Sequence, residues 1–326
     1  MSTIADIAEV LRGAKRVLLT CHLGPDGDSI GSLSALAALL RENGLEAVFF
    51  NPDPAPRNLK WLPHVDTLTH RIPPGKFDAT IVVDCGDAKL LGKNFPPSDV
   101  TGTLLVLDHH ASSRPFGDIY VCDPEAASVG VLVARLAREL DWPLTPASAP
   151  GIYVSIVCDT GSFRYANTNA EVFDLAGRLV SELGVSPWAV AQALGEEVPL
   201  QRWRLLGQAL AAIKIELEGR VAVMTITEEM VRAAGARWEH TEGLVNYARS
   251  IEGVWCGMLL TPARDGGIRV SLRSKNQIDA GAICAPLGGG GHPGAAGCIV
   301  EGPMEAARAR ILAAIQASIQ SQAPAA

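Results

Sequence analysis

Residues 16–31 read Arg16-Val-Leu-Leu-Thr-Cys-His22-Leu-Gly-Pro-Asp26-Gly-Asp28-Ser-Ile-Gly31. The run from Arg16 to Cys21 is uniformly apolar at its centre, as a strand buried on both faces must be. A Gly/Pro/Asp loop breaks it, and Ser29 to Asn43 then reads as a helix that Gly44 ends. Working outward, Ala47 to Phe50, Thr80 to Val83 and Leu104 to Leu107 are further buried strands. Ala127 to Leu140, a stretch from about Ala147 to Cys158, and Ala170 to Leu183 read as helices. Strand and helix in alternation predict an α/β domain, a parallel sheet with helices on both faces.

A second pattern begins near Lys214, where KIELEGRVAVMTIT alternates like a hairpin turning at Glu218, Gly219 and Arg220. A helical Thr241 to Ser250, strands at Val254 to Leu260 and Ile268 to Leu272, and a glycine-rich loop follow. The 326 residues suit two domains, expected at 1–185 and 215–320 with a helical connector at 186–214. The tail from Ser318 on is expected to fray.

Composition narrows the function classes. Apolar residues make up 48% and charged residues 19%, enough buriable surface for a folded chain. The net charge of −7 argues against a broad basic face for long nucleic acid, while leaving a nucleotide substrate open. The opening residues lack the order of a secretory signal, and no apolar run approaches the ~20 residues that cross a bilayer, so a cytoplasmic protein without membrane contact is expected. Seven cysteines without a C-x-x-C pair suggest neither a disulfide framework nor a zinc knuckle. Cys21, Cys85 and Cys158 read as small core residues.

Charged residues recur at one kind of place. His22, Asp26 and Asp28 follow the first strand, Asp84 follows TIVV, Asp108-His109-His110 follows LLVL, and Asp159 follows IYVSIVC. Taken singly, Asp28 reads equally well as a helix cap and Asp26 as a turn residue. Four such clusters at one sheet edge would repel one another unless cations sat between them. Carboxylates with imidazoles suit manganese or a similar divalent ion, and a two-metal centre is the economical reading.

The motifs H-x-x-x-D-x-D at 22–28, VVDCGD at 82–87, the Asp108-His109-His110 triplet and CDTGSFRY at 158–165 resemble the four motifs of the DHH phosphoesterases. RVSLRS at 269–274 and GGGGHPGAAG at 288–297 are similar to the DHHA1 substrate domain that accompanies them. The resemblance covers nearly the whole chain, in order, and is nearest to the stand-alone bacterial group that cleaves very short oligoribonucleotides and 3′-phosphoadenosine 5′-phosphate. It implies a smaller α/β domain across a cleft from the first, and two divalent ions, Mn²⁺ by preference. It would place one ion on His22, Asp26 and Asp84, and the other on Asp28, Asp84, His109 and Asp159, with Asp84 shared. His110 would face the substrate and Asp108 orient a histidine. Two ions about 3.5–4 Å apart would activate a water for in-line hydrolysis.

Arg273 is expected to clamp a phosphate with its fork of donors. Gly289, Gly290 and Gly291 with His292 would cradle an anionic oxygen, unless the glycines serve only a tight bend. Arg164 is a further substrate candidate, with a plain surface role as the alternative. One departure is Val131, where relatives of this type carry a glutamate; it leaves the six metal positions intact and unsettles any borrowed substrate preference. The expected partner is a short oligonucleotide or nucleotide phosphate, and a homodimer is left open. Competing readings are a cyclic-dinucleotide phosphodiesterase, a family II pyrophosphatase, a processive exonuclease and a nucleotide sensor without turnover. The aromatic content of 5% disfavours the exonuclease, and the complete ligand set disfavours the sensor.

Overall fold

The computed structural model describes residues 2–322 apart from 94, 112, 197, 264, 265 and 276. It divides into two units, Met1–Glu197 and Val198–Ala326, so the boundary falls within the stretch read as a connector.

The first unit runs α1 (Ile4–Gly13), β1 (Arg16–Cys21), α2 (Gly27–Glu42), β2 (Glu46–Phe49), β3 (Ala79–Val83), α3 (Ser98–Thr101), β4 (Thr103–Asp108), β5 (Ile119–Cys122), α4 (Val129–Glu139), α5 (Ala149–Asp159), α6 (Ala170–Ser181) and α7 (Pro187–Gly195). Its sheet has the order β2-β1-β3-β4-β5, and every pair is parallel. The chain leaves β1 for β2 on one side and returns to β3 on the other. That reversal opens a crevice at the carboxyl ends of β1 and β3, where ligands of open parallel sheets bind. β5 was not foreseen: it has four residues, only Val121 is buried, and so short and half-exposed a run carries little apolar signal.

All five residues of β3 are buried, consistent with its central place; each valine or isoleucine so removed from water stabilises the fold by about 1.5–3 kcal/mol. Val17, Leu19, Ile81, Val83, Leu105 and Leu107 pack with α1, α2, α4 and α5 in one core. Leu18, Val82 and Val106 face the other way, toward Phe77, Leu91 of a 3-10 turn and Val100 of α3. α2 and α5 approach so closely that a Cβ at Gly31 would lie 2.5 Å from the Gly151 carbonyl oxygen, and one at Gly151 2.4 Å from that of Gly31.

The second unit holds α8 (Leu200–Ala211), β6 (Lys214–Glu216), β7 (Val221–Thr225), α9 (Glu228–Ala233), α10 (Val245–Arg249), β8 (Cys256–Pro262), β9 (Ile268–Ser274), α11 (Ala280–Cys284), β10 (Gly290–His292), β11 (Ala295–Val300) and α12 (Met304–Gln322). Its mixed sheet has the order β10-β11-β9-β8-β7-β6, with β7 and β8 parallel and the other pairs antiparallel. α11 and α12 cover one face. α8, α9 and α10 cover the other face over β7 and β8. Beyond them, on β9 and β11, Arg269 is exposed, Ser271 and Arg273 are half-buried, and Ile299 is 58% exposed.

Two expectations are corrected here. The glycine-rich stretch is not a free loop, because Gly290–His292 pairs with β11 as a hairpin. The tail does not fray at Ser318, since α12 continues to Gln322 with Ile311, Ile315 and Ile319 buried at helical spacing; residues 323–326 lie outside the described ones. Among the described residues no helix is long and apolar enough to cross a membrane.

Candidate metal centre

β1, β3 and β4 end in register, Cys21 beside Val83 and Val83 beside Leu107, so the residues that follow them meet at one edge. His22 Nε2 lies 3.4 Å from Asp84 Oδ2 and 4.0 Å from Asp26 Oδ1. His109 Nε2 lies 3.1 Å from Asp159 Oδ2, 3.5 Å from Asp28 Oδ2 and 3.8 Å from Asp84 Oδ1. Asp84 thus turns one oxygen to each group. Its backbone is left-handed, φ 53°, an uncommon conformation for a residue with a side chain and one found at sites that need it.

The histidines are oriented from behind. Nδ1 of His22 donates to the Leu23 carbonyl at 2.8 Å and Nδ1 of His109 to the Ala126 carbonyl at 3.1 Å, which leaves Nε2 of each toward the carboxylates. His110 is held through the same nitrogen, but by a carboxylate. Its Nδ1 donates to Asp108 Oδ1 at 2.8 Å, with Asp108 fully buried and further held by Ser113 and Tyr120.

Asp26, not Asp28, is the cap of α2: its Oδ1 accepts from Ser29 N at 3.0 Å. Asp28 sits inside the first turn, 0% exposed. The α2–α5 approach carries it toward the end of α5, where Asp159 closes the cluster. Among the described residues no cysteine joins the potential metal-holding groups.

The charge balance of the site is what a cation would correct. Burial pushes Asp26 up to about 6, reinforced by the charge of Asp84. Burial and the charges of Asp84 and Asp159 drive Asp28 well above the usual carboxylate range. Burial opposes charge on the histidines too, yet hydrogen bonds and nearby carboxylates prevail: His22 rises to about 10 through Asp84, His109 to about 11 through Asp159 and Asp28, and His110 to about 9 through Asp108 and Asp84. Burial likewise opposes ionisation of Asp84, but its hydrogen bond to His22 and the charges of His110, His22 and His109 hold it below the carboxylate range. The histidines and Asp28 are therefore favoured in their protonated forms around an ionised Asp84, and hard oxygen donors with imidazoles fit a divalent ion such as Mn²⁺ in place of those protons.

A metal must displace the protons on Nε2 of His22 and His109 and on Asp28. Uptake at neutral pH should therefore release protons, and affinity should weaken from about pH 8 to about pH 6 as rising proton concentration competes for the same nitrogens and oxygens. Calorimetry in two buffers of different ionisation enthalpy measures both; binding with no proton release and a pH-independent Kd would contradict it.

Comparison with known proteins places the chain. The model of the DHH family, N-terminal domain, matches residues 16–162, and that of the DHHA1 domain matches residues 218–321. A bifunctional oligoribonuclease and PAP phosphatase NrnA from Thermus thermophilus is 32% identical over 95% of this chain and 92% of its own.

The chain belongs to the DHH family.

A second NrnA of this family, from Bacillus subtilis, is 28% identical over 87% of this chain and 89% of its own. The crystal structure of an exopolyphosphatase-related protein from Bacteroides fragilis superposes with a TM-score of 0.88, at 25% identity over 98% of this chain and 96% of that one. As a DHH-family member the chain is a phosphoesterase of a metal-dependent type.

Sequence reading did not find the groups that hold the site residues: Ser113 and Tyr120 on Asp108, Val129 N and Ser155 on Asp28, and Asn167, whose Nδ2 donates to the Asp159 carbonyl. Ser155 had a signal, since it stands four residues before Asp159 and so shares its helix face. Arg164 is exposed and its Nε donates to Gly161 O at 2.7 Å. In the second unit, register sets His292 beside Ala295 and Ala295 beside Arg273 on the less covered face. A Cβ at Gly289 would meet Gly297 O at 2.1 Å and one at Gly291 would meet Ala295 O at 2.3 Å, so these two glycines serve close packing of the hairpin; one at Gly290 would meet nothing within 4 Å.

Proposed function

We propose that the chain hydrolyses phosphate esters in linear dinucleotides and other very short oligonucleotides, and the 3′-phosphate of 3′-phosphoadenosine 5′-phosphate, using two Mn²⁺ ions. The carrying observation is Asp84, whose two oxygens face two separate imidazole and carboxylate groups. The activities named for the Thermus and Bacillus relatives supply the substrate class.

In this reading His22, Asp26 and Asp84 hold one ion, and Asp28, Asp84, His109 and Asp159 the other. Divalent ions there would acidify a water and offset charge on the scissile phosphate. His110, steadied by Asp108 through Nδ1, can deliver a proton to the leaving oxygen. Arg273 and His292, on either side of Ala295, offer donors to a phosphate that is not cleaved, and Gly290 leaves space for an anionic oxygen. The net charge of −7 favours short substrates over long ones.

The test is release of mononucleotide from a 5′-phosphorylated dinucleotide, and of phosphate from 3′-phosphoadenosine 5′-phosphate, with Mn²⁺ and with EDTA. Turnover should vanish in EDTA and fall steeply on a much longer oligomer. Arg273→Ala should lower kcat/KM on the dinucleotide roughly ten- to a hundredfold, the loss of a charge-assisted hydrogen bond, with metal content unchanged and only partial recovery in Arg273→Lys. Equal turnover in EDTA would refute the reading, and unchanged kcat/KM in Arg273→Ala would remove that residue from it.

A further inference from the structure

We infer that Ser155 is a positioning residue of the metal centre, fixing Asp28 so that a single carboxylate oxygen faces the ions. Its hydroxyl donates to Asp28 Oδ1 at 2.5 Å. It also accepts from Gly130 N at 2.8 Å and lies 2.8 Å from Ser128 Oγ. A serine hydroxyl has one proton and two lone pairs. With Asp28 ionised, as a metal ligand must be, the proton belongs to Asp28, and the Ser128 hydroxyl must donate to Ser155. Every bonding position of the Ser155 hydroxyl is then used, and Ser128, Ser155 and Asp28 are all 0% exposed, so no water competes.

A second hydroxyl acts on the same oxygen, and a backbone N–H spans both oxygens. Ser32 Oγ donates to Asp28 Oδ1 at 3.2 Å, and Val129 N reaches Oδ1 at 3.2 Å and Oδ2 at 2.9 Å. Oδ2, by contrast, is the oxygen 3.5 Å from His109 Nε2. The hydroxyls of α2 and α5 therefore bond Oδ1 alone, Val129 N of α4 is shared between the two oxygens, and Oδ2 is the one that looks into the cluster. Space for this comes from Gly130, where a Cβ would stand 2.3 Å from Ser155 Oγ. A larger residue at 130 would push the hydroxyl off Asp28.

This inference rests on the reading of Asp28 as a metal ligand, and its test separates the two. Mn²⁺ is titrated calorimetrically into the full chain and into Ser155→Ala, and both are melted with and without Mn²⁺. The variant should bind Mn²⁺ roughly 10- to 100-fold more weakly, the usual cost of losing a partner behind a ligand. Its melting temperature should drop further in the metal-loaded form than in the metal-free form, because weaker binding lends the native state less stabilisation. A hydroxyl serving structure alone would lower both forms equally. A folded Ser155→Ala protein with wild-type Mn²⁺ affinity overturns the inference, whatever its stability. Where the alanine variant does not fold, Ser155→Cys replaces the hydroxyl with a weaker donor, and wild-type affinity in that protein overturns it as well. Wild-type protein that takes up no Mn²⁺ would instead overturn the metal-centre reading.

Discussion

Asp84→Asn should lose phosphoesterase turnover by more than the roughly 10- to 100-fold that removal of a group behind a ligand costs. The reason is its double position. Oδ2 lies 3.4 Å from His22 and Oδ1 3.8 Å from His109, so one substitution removes charge from both groups of candidate ligands at once. Asparagine is the informative replacement because, unlike most residues, it tolerates the left-handed backbone that Asp84 adopts at φ 53°. A loss in Asp84→Asn therefore reports the missing charge and not a strained chain. Metal stoichiometry, measured on the same preparations by atomic emission, should fall below that of wild type. A variant with near-normal turnover and full metal content would sink the shared-ligand assignment.

The second large effect is expected at a residue with no chemistry of its own. Gly151→Val should destabilise the first unit by at least the roughly 1–3 kcal/mol typical of overpacking. The added carbons would meet the Gly31 carbonyl oxygen at 2.4 Å and Ala35 N at 2.9 Å, both backbone atoms within a helix that cannot turn aside. Forcing α2 from α5 would also part Asp28 from Asp159, so Mn²⁺ affinity should fall with the melting temperature. Gly177 on α6 is the control. A Cβ there meets nothing within 4 Å and the position is exposed, so Gly177→Ala should leave stability unchanged or raise it by up to about 1 kcal/mol. Thermal melts of the two variants decide the point; equal effects would mean that the helix approach is not tightly set.

Much of this architecture is legible in the residues themselves. β1, β3 and β4 are largely apolar at their centres because both faces are covered, and the charged residues at or after their ends stand out for the same reason. Asp26 and Asp28 show where such reading stops. Both obey the rules for a helix start, and only the three-dimensional packing distinguishes the cap from the fully buried carboxylate. The glycine-rich segment misleads in a similar way. Glycine is equally suited to a ligand-binding loop and to two backbones in close contact, and at Gly289 and Gly291 close contact by itself already calls for glycine. Contacts between residues far apart in sequence, such as Ser155 with Asp28, leave no local periodicity, although the spacing of Ser155 from Asp159 was available.

The two sheets end on very short strands. β2 and β5 have four residues each, and β6 and β10 have three. An outer strand is a template on which another chain can add itself, and its danger grows with length and flatness. β6 reads Lys214-Ile-Glu216, with a charge on either side of its one apolar residue, and β10 is mostly glycine, which gives an incoming strand little side-chain surface to grip. Such borders are poor seeds for aggregation, a useful property for a protein whose interior strands are as uniformly apolar as these.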